Sequence, residues 1–443
     1  MENITILNKK KRFNLKLSKK SIFRRFLTII KSKINNELIC LGWDWIGWRS
    51  TVFFQIIKLF KKSFRHYKLL PFEWLDLASG NKDILVNNKT FVSYGPRYIF
   101  KSSLNTAIVN YPIVCWRVDC NSIVTSSSSS IVFAKERILI ERCGRENQDH
   151  FNYATGQIIW HGKNNALARF SPVILRFNKG IFFGGNGSNN YYHWMIEIVS
   201  KFMFLPSLPE KYSDFPLLLN IEVKNVSQFN EMIDIIKENR EIVWMNPEQS
   251  YCIEEMVYID SINNIPFNVF GKHKLAISDI VINFDSIMYI RKIFLEKFSK
   301  ASSWGKLTPR KFFLYRRNCR RSYNQDDVKS LLEGFGFVSL DMEELGFLQQ
   351  VELFSNAEWV VGPTGAALTN LIFGNNKLKC ITWMSEEIGD FSGFSNLAAL
   401  VGVDLGYITY HNQVEKTSSL YYSDYFLDLE KLKSALLLYG LNM

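Results

Sequence analysis

His193 and Glu197 stand four residues apart in Asn190-Tyr191-Tyr192-His193-Trp194-Met195-Ile196-Glu197, just past a Gly/Asn loop that starts at Gly184. Side chains four apart share a helix face, so an imidazole and a carboxylate can act on one proton. Either could serve as a general base, with His193 ahead because an imidazole titrates near neutrality. Arg316, Arg317, Arg320 and Arg321 crowd a second stretch. Their planar forks suit a diphosphate, and at least two of the four are expected to be solvated surface. A third stretch, Gly362-Pro363-Thr364-Gly365-Ala366-Ala367-Leu368-Thr369-Asn370, reads as a turn opening a helix directly after a buried strand. Small residues there let N–H groups approach an anion, and the helix dipole adds to the attraction. The cleft segments hold no Asp-x-Asp pair, so no metal site and no cofactor are expected. The absence of a Gly-x-x-x-x-Gly-Lys-Ser/Thr loop argues against a P-loop kinase.

The elements around these residues read as α/β. From about 91 to 177 the pattern is one of short strands and loops, including 106–109, 131–134 and 173–177. The serine run 126–130 reads as a strand or an exposed turn. From 180 to 285, strands at 181–184, 217–219 and 241–244 alternate with helices at 194–205, stopped by Pro206, and at 226–238. Between 310 and 384, strands at 312–315, 337–340, 359–362 and 380–383 alternate with helices at 324–333, capped by Asn324, and at 347–355. Strands alternating with helices imply doubly wound layers. Two such layers with ligands at the carboxyl ends of the strands suit a two-substrate enzyme.

At 443 residues the chain exceeds one ordinary domain, and 47% hydrophobic residues supply ample core. Seven scattered cysteines without a CxxC fit neither a zinc site nor a disulfide framework, and Cys115 and Cys120 read as reduced core residues. Residues 1–70 carry 17 Lys/Arg against three acids, leaving −2 of the net +12 for the remainder. The basicity therefore belongs to one end, which disfavours nucleic acid as a partner. That end alternates basic clusters with apolar stripes (Ile22, Phe23, Phe26, Ile29; Phe53, Ile56, Ile57, Phe60) around Trp43, Trp45 and Trp48. It has no secretory h-region and no run long enough to span a bilayer. Such a basic amphipathic arm suits an anionic membrane surface, or else packing on the body or on a partner. The expected divisions are 1–70 for the arm, 71–290 and 291–400 for the two α/β units, and 401–443 for a closing segment with a final helix.

The pairing of 190–197 with 362–370, joined by Phe313-Leu314-Tyr315-Arg316 and 320–324, resembles glycosyltransferase family 61, which includes bacterial capsular polysaccharide enzymes. The resemblance covers about 180–385. It implies a GT-B-like fold of two facing Rossmann-like domains, acceptor on the first and donor mainly on the second. It also implies inversion at the anomeric carbon by a single displacement. On that reading His193 and Glu197 are catalytic. Arg316, Arg320, Thr364, Gly365, Ala366 and Asn370 hold the donor, while Asn190, Tyr192 and Trp194 meet the acceptor. The expected substrates are a UDP-linked nucleotide sugar and a glycan or lipid-linked glycan, in capsular or other cell-surface polysaccharide synthesis on the cytoplasmic face of the membrane. Two positions depart from the family: Thr364 where many members have His, and Gln325 where Glu is frequent. The alternative is a catalytically inactive, membrane-attached glycan-binding scaffold.

Overall fold

The structure is a computed structural model that describes residues 67–75, 82–101, 105–133, 137–140, 153–161, 165–266, 274–301, 308–317, 321–412, 420 and 423–441. The basic arm and Arg320 lie outside the described residues, apart from 67–70 of the arm's expected span. Those four residues begin a strand, and Leu70 is buried in the core.

In chain order the strands are β1 (Tyr67–Trp74), β2 (Lys82–Val86), β3 (Lys89–Tyr94), β4 (Thr106–Tyr111), β5 (Val114–Val124), β6 (Ile131–Phe133), β7 (Arg137–Ile140), β8 (Ile158–His161) and β9 (Asn165–Arg169). They continue as β10 (Ile174–Phe182), β11 (Leu217–Asn220), β12 (Ile242–Met245), β13 (Ser250–Ile259), β14 (Lys311–Tyr315), β15 (Val338–Asp341), β16 (Trp359–Pro363), β17 (Lys379–Ser385) and β18 (Asp404–Tyr410). The larger sheet runs β12-β11-β10-β13-β5-β6-β7-β1-β9-β8, with β2 beside β5. Its first four strands form a parallel block, which β5 joins antiparallel, and the one other parallel pair among the described strands of this sheet is β1 with β7. The Rossmann-like part of 71–290 is thus β10 to β13, and the earlier strands form a mostly antiparallel extension. Within the block the order is third-second-first-fourth, which places a topological switch between β10 and β13.

The second sheet, β15-β14-β16-β17-β18, is parallel throughout, in the order second-first-third-fourth-fifth. Its switch lies between β14 and β16. The runs Phe312-Phe313-Leu314 and Val360-Val361 are buried, as continuous apolar strands covered on both faces should be. β18 belongs to this sheet, and buried Leu432, Ala435 and Leu436 of the helix Leu429–Leu438 pack into its core. The strand and the helix described in 401–443 therefore belong to the second layer. The division expected at 290 falls inside the helix Phe284–Ala301. Phe294 of that helix meets Phe347 and Phe373 edge-on, so the helix packs against the second sheet's elements.

Two local readings change. Asn324 precedes the helix Gln325–Gly334 but does not cap it with its side chain. Its Oδ1 instead accepts from Leu427 N at 2.9 Å and its Nδ2 donates to Leu427 O at 3.0 Å. Cys115 is buried but Cys120, five residues along β5, is exposed.

One apolar core runs from one sheet to the other. It joins Trp194, Phe202 and Leu219 to Leu314, Leu368 and Phe394. Polar ties reinforce it: Gln228 Nε2 donates to Leu345 O at 2.8 Å, and Leu348 N donates to Glu231 Oε2 at 3.2 Å.

Candidate functional site

The dyad stands at the first switch. β10 ends in the loop 183–190, where Asn190 closes a three-residue α-helical turn, Tyr191–His193, by accepting from Tyr192 N at 3.0 Å and His193 N at 3.5 Å. The chain then widens into a π-turn over Trp194–Ile198 and tightens into a 3₁₀ helix over Val199–Ser207, with Pro206 inside its last turn. The regular helix expected at 194–205 is therefore an irregular one. Side chains have captured part of its backbone ladder. The Ile196 carbonyl accepts from Ser200 Oγ at 2.6 Å and from Asn263 Nδ2 at 2.7 Å, an outside partner that a regular helix would not offer.

His193 and Glu197 meet across this turn, with Nδ1 2.5 Å from Oε2. Both are largely buried, at 16% and 13% side-chain exposure, so the pair keeps much of its strength. The other oxygen, Oε1, accepts from Ile265 N at 2.7 Å, in the segment that follows β13. The two strands flanking the switch thus supply the dyad and its anchor. An ionised Glu197 can only accept, which favours the tautomer with the hydrogen on Nδ1 and the lone pair on Nε2.

The loop ahead of the dyad rests on the serine run. Gly185 N donates to Ser126 O at 3.2 Å, Thr155 Oγ1 donates to Asn186 Oδ1 at 2.6 Å, and Ser129 N reaches the same oxygen at 3.4 Å. Ser126, Ser128, Ser129 and Ser130 are all buried, so this run is neither an exposed turn nor a strand but a hydroxyl-lined bed for the loop. Nothing in the composition of the run signals that role; only the distant Asn186 and Thr155 reveal it.

At the second switch, Arg316 follows β14 and Gly365 follows β16. Arg316 Nη2 donates to Thr364 O at 3.3 Å, and a Cβ on Gly365 would overlap that nitrogen. Gly365 is required here by close approach, since its backbone is extended (φ 171°). Gln325 holds Arg316 from behind, accepting from its N–H at 3.1 Å and donating to its carbonyl at 2.8 Å. Arg317 turns away to pair with Glu344 on the surface. Ala366 begins a 3₁₀ helix that runs to Phe373.

Residues 191–381 match the sequence model of the family Glycosyltransferase 61, less than half of the 443 residues but taking in both the dyad and the Arg316–Gly365 corner. This region is similar to the family 61 glycosyltransferases. No curated protein matches the chain.

Within this region several expected contacts fall elsewhere. Trp194 is fully buried and stacks on Phe229 at 5.5 Å, which places it in the core. The Asn190 side-chain oxygen is spent on the cap described above. Asn370, expected at the donor, is fully buried; its Oδ1 accepts from Tyr191 Oη at 2.6 Å and its Nδ2 donates to Gln350 Oε1 at 2.8 Å. Thr364 directs its hydroxyl to Trp383 O at 2.9 Å, so at that position the family's frequent imidazole is replaced by a group bonded back into the sheet. Tyr192 is buried beside His193, and burial, with the Glu197 charge second, pushes its phenol well above the usual range. Gly365 and Ala366 are partly exposed and stay in place beside Arg316. Among the described residues no group of His, Cys, Asp and Glu is placed to hold a metal ion. No described helix is long and apolar enough to cross a membrane.

Proposed function

We propose that the chain transfers a sugar, with inversion, from a nucleotide donor to a glycan acceptor bound between two facing GT-B-like halves. The observation that carries this is the His193–Glu197 pair, fixed at the carboxyl end of a parallel block. His193 Nε2 takes the proton of the acceptor hydroxyl as that oxygen bonds to the anomeric carbon. The bond from that carbon to the donor phosphate breaks, and the nucleoside diphosphate leaves with the electron pair. Glu197 holds the ring and stabilises the imidazolium that forms.

Arg316 and the amides around Gly365 and Ala366 meet the leaving diphosphate, where charge develops. Arg320 is proposed beside them. The reading includes a UDP-linked donor, a glycan or lipid-linked acceptor and no essential metal. It places the enzyme in cell-surface polysaccharide synthesis at the cytoplasmic face of the membrane, with the basic arm as its anchor.

The test is turnover of a panel of nucleotide sugars by His193→Ala and Glu197→Gln. General-base catalysis is worth about 10²–10⁴-fold, so His193→Ala should lose turnover on that scale while donor affinity holds. Glu197→Gln should lose less, since the ring survives. Wild-type rates in both variants would refute the mechanism. A wild type that binds donor yet transfers to no acceptor in cell-envelope extracts would favour the scaffold.

A further inference from the structure

The Tyr192 hydroxyl is buried beside the dyad with no hydrogen-bond partner among the described residues, and the side chain is only 5% exposed. Native proteins keep few such groups, and each asks for a reason. The ring stands edge-on to Phe394 of the second layer at 5.3 Å and to His193 at 5.9 Å. Its oxygen lies 2.9 Å from where a Cβ on Gly393 would sit. Gly393 is the first residue of the helix Gly393–Val401, which follows β17. Ser392, in the capping position, does not cap that helix; its Oγ donates to Ile277 O at 3.0 Å. The start of the helix therefore keeps its positive end without a side-chain cap, next to the phenol oxygen.

We propose that the Tyr192 hydroxyl and the first turn of the helix Gly393–Val401 bind a phosphate oxygen of the departing nucleoside diphosphate. This rests on the nucleotide-sugar reading above and adds an anion contact separate from Arg316. A phenol held protonated by burial can donate, and a helix start selects an oxyanion over a neutral hydroxyl. The opposing charge nearby is Glu197, whose two oxygens are taken by His193 and Ile265 N. When His193 accepts the acceptor proton it becomes cationic, so the surroundings of Tyr192 lose net negative charge as the phosphate gains it. A Cβ on Gly393 would meet the Phe391 ring at 2.7 Å as well as the phenol oxygen, so the anion enters as that ring moves aside.

The experiment is calorimetry of UDP and of inorganic pyrophosphate on wild type, Tyr192→Phe and Gly393→Ala, with unliganded melting measured alongside. Tyr192→Phe removes a hydroxyl that has no partner, so its unliganded melting should not fall. Its affinity for both probes should drop about tenfold or more, the scale of a hydrogen bond to a charged group. Gly393→Ala places a methyl group against the Phe391 ring and that oxygen, and should lose the same affinity with Arg316 intact. Wild-type affinity in Tyr192→Phe, a loss confined to UDP, a wild type that binds neither probe, or a clear fall in unliganded melting would each overturn the proposal. Sugar transfer with unchanged probe affinity in Tyr192→Phe would remove this subsite and keep the glycosyltransferase reading. Pyrophosphate binding through Tyr192 without any transfer would keep the subsite and remove that reading.

Discussion

The phenol of Tyr191 donates to the side-chain carbonyl of Asn370 at 2.6 Å, across 179 residues of chain. Tyr191 stands two residues before the proposed base, and Asn370 five after Gly365, so this bond ties the two halves of the site together. Asn370 passes the connection on to Gln350, whose Nε2 reaches Met342 O at 2.8 Å.

Asn370→Ala strands the Tyr191 hydroxyl and the Gln350 carbonyl in a buried place. An orphaned buried group costs about 1–3 kcal/mol, so a loss of at least that size is expected in urea denaturation. Donor affinity should change little in whatever fraction stays folded. A donor-specific defect with unchanged stability would return Asn370 to the donor site.

Gly365→Ala puts a methyl group where Arg316 Nη2 now sits. The far end of a flexible side chain can move, so the fold should survive with melting close to wild type. The guanidinium is displaced, and donor affinity should fall about as far as in Arg316→Ala, roughly tenfold or more. Calorimetry on both variants and on the double variant checks this: the two losses should not add.

Gln325→Glu keeps an acceptor for Arg316 N–H but loses the donor to Arg316 O, and sets a carboxylate against a carbonyl. At neutral pH the variant should lose about 1–3 kcal/mol. Urea denaturation of the variant beside wild type checks this, and wild-type stability would show that the bond to the Arg316 carbonyl is dispensable.

Removing residues 1–66 should abolish sedimentation with anionic liposomes while leaving melting unchanged, because β1 begins at Tyr67. Cutting at 70 instead removes buried Leu70 and half of β1, and should destabilise the body. Equal sedimentation of the full chain and the 1–66 deletion would assign the arm to packing or assembly.

Four of the second sheet's five strands were legible, because β14, β16 and β17 are apolar runs and the helices between are bounded by Gly334, Gly336 and Gly346; β18 was not, since it follows the helix Gly393–Val401 in a stretch read only as a closing segment. The dyad was legible from a spacing of four. The roles of Trp194 and Asn190 were not, since adjacency to His193 says nothing about which way the next side chain turns, and a helix turns each one about 100° further on. Asn370 and the serine run depended on partners that sequence order hides: Tyr191 and Gln350 for the one, Asn186 and Thr155 for the other. The first sheet's antiparallel extension was read only as short strands, because alternation along a strand does not name its neighbour.

The π-turn over Trp194–Ile198 holds one more residue than a regular turn of the same rise would. Taking out a single residue there, such as Met195, would let the ladder close as an ordinary α-helix. The flanking turns would keep their phase, and His193 and Glu197 would stand three apart instead of four, still on one face. What the shorter chain would lose is the open Ile196 carbonyl, drawn back into the ladder and away from Asn263. The irregular turn therefore acts as a socket, through which a side chain from beyond β13 grips the backbone that carries the dyad.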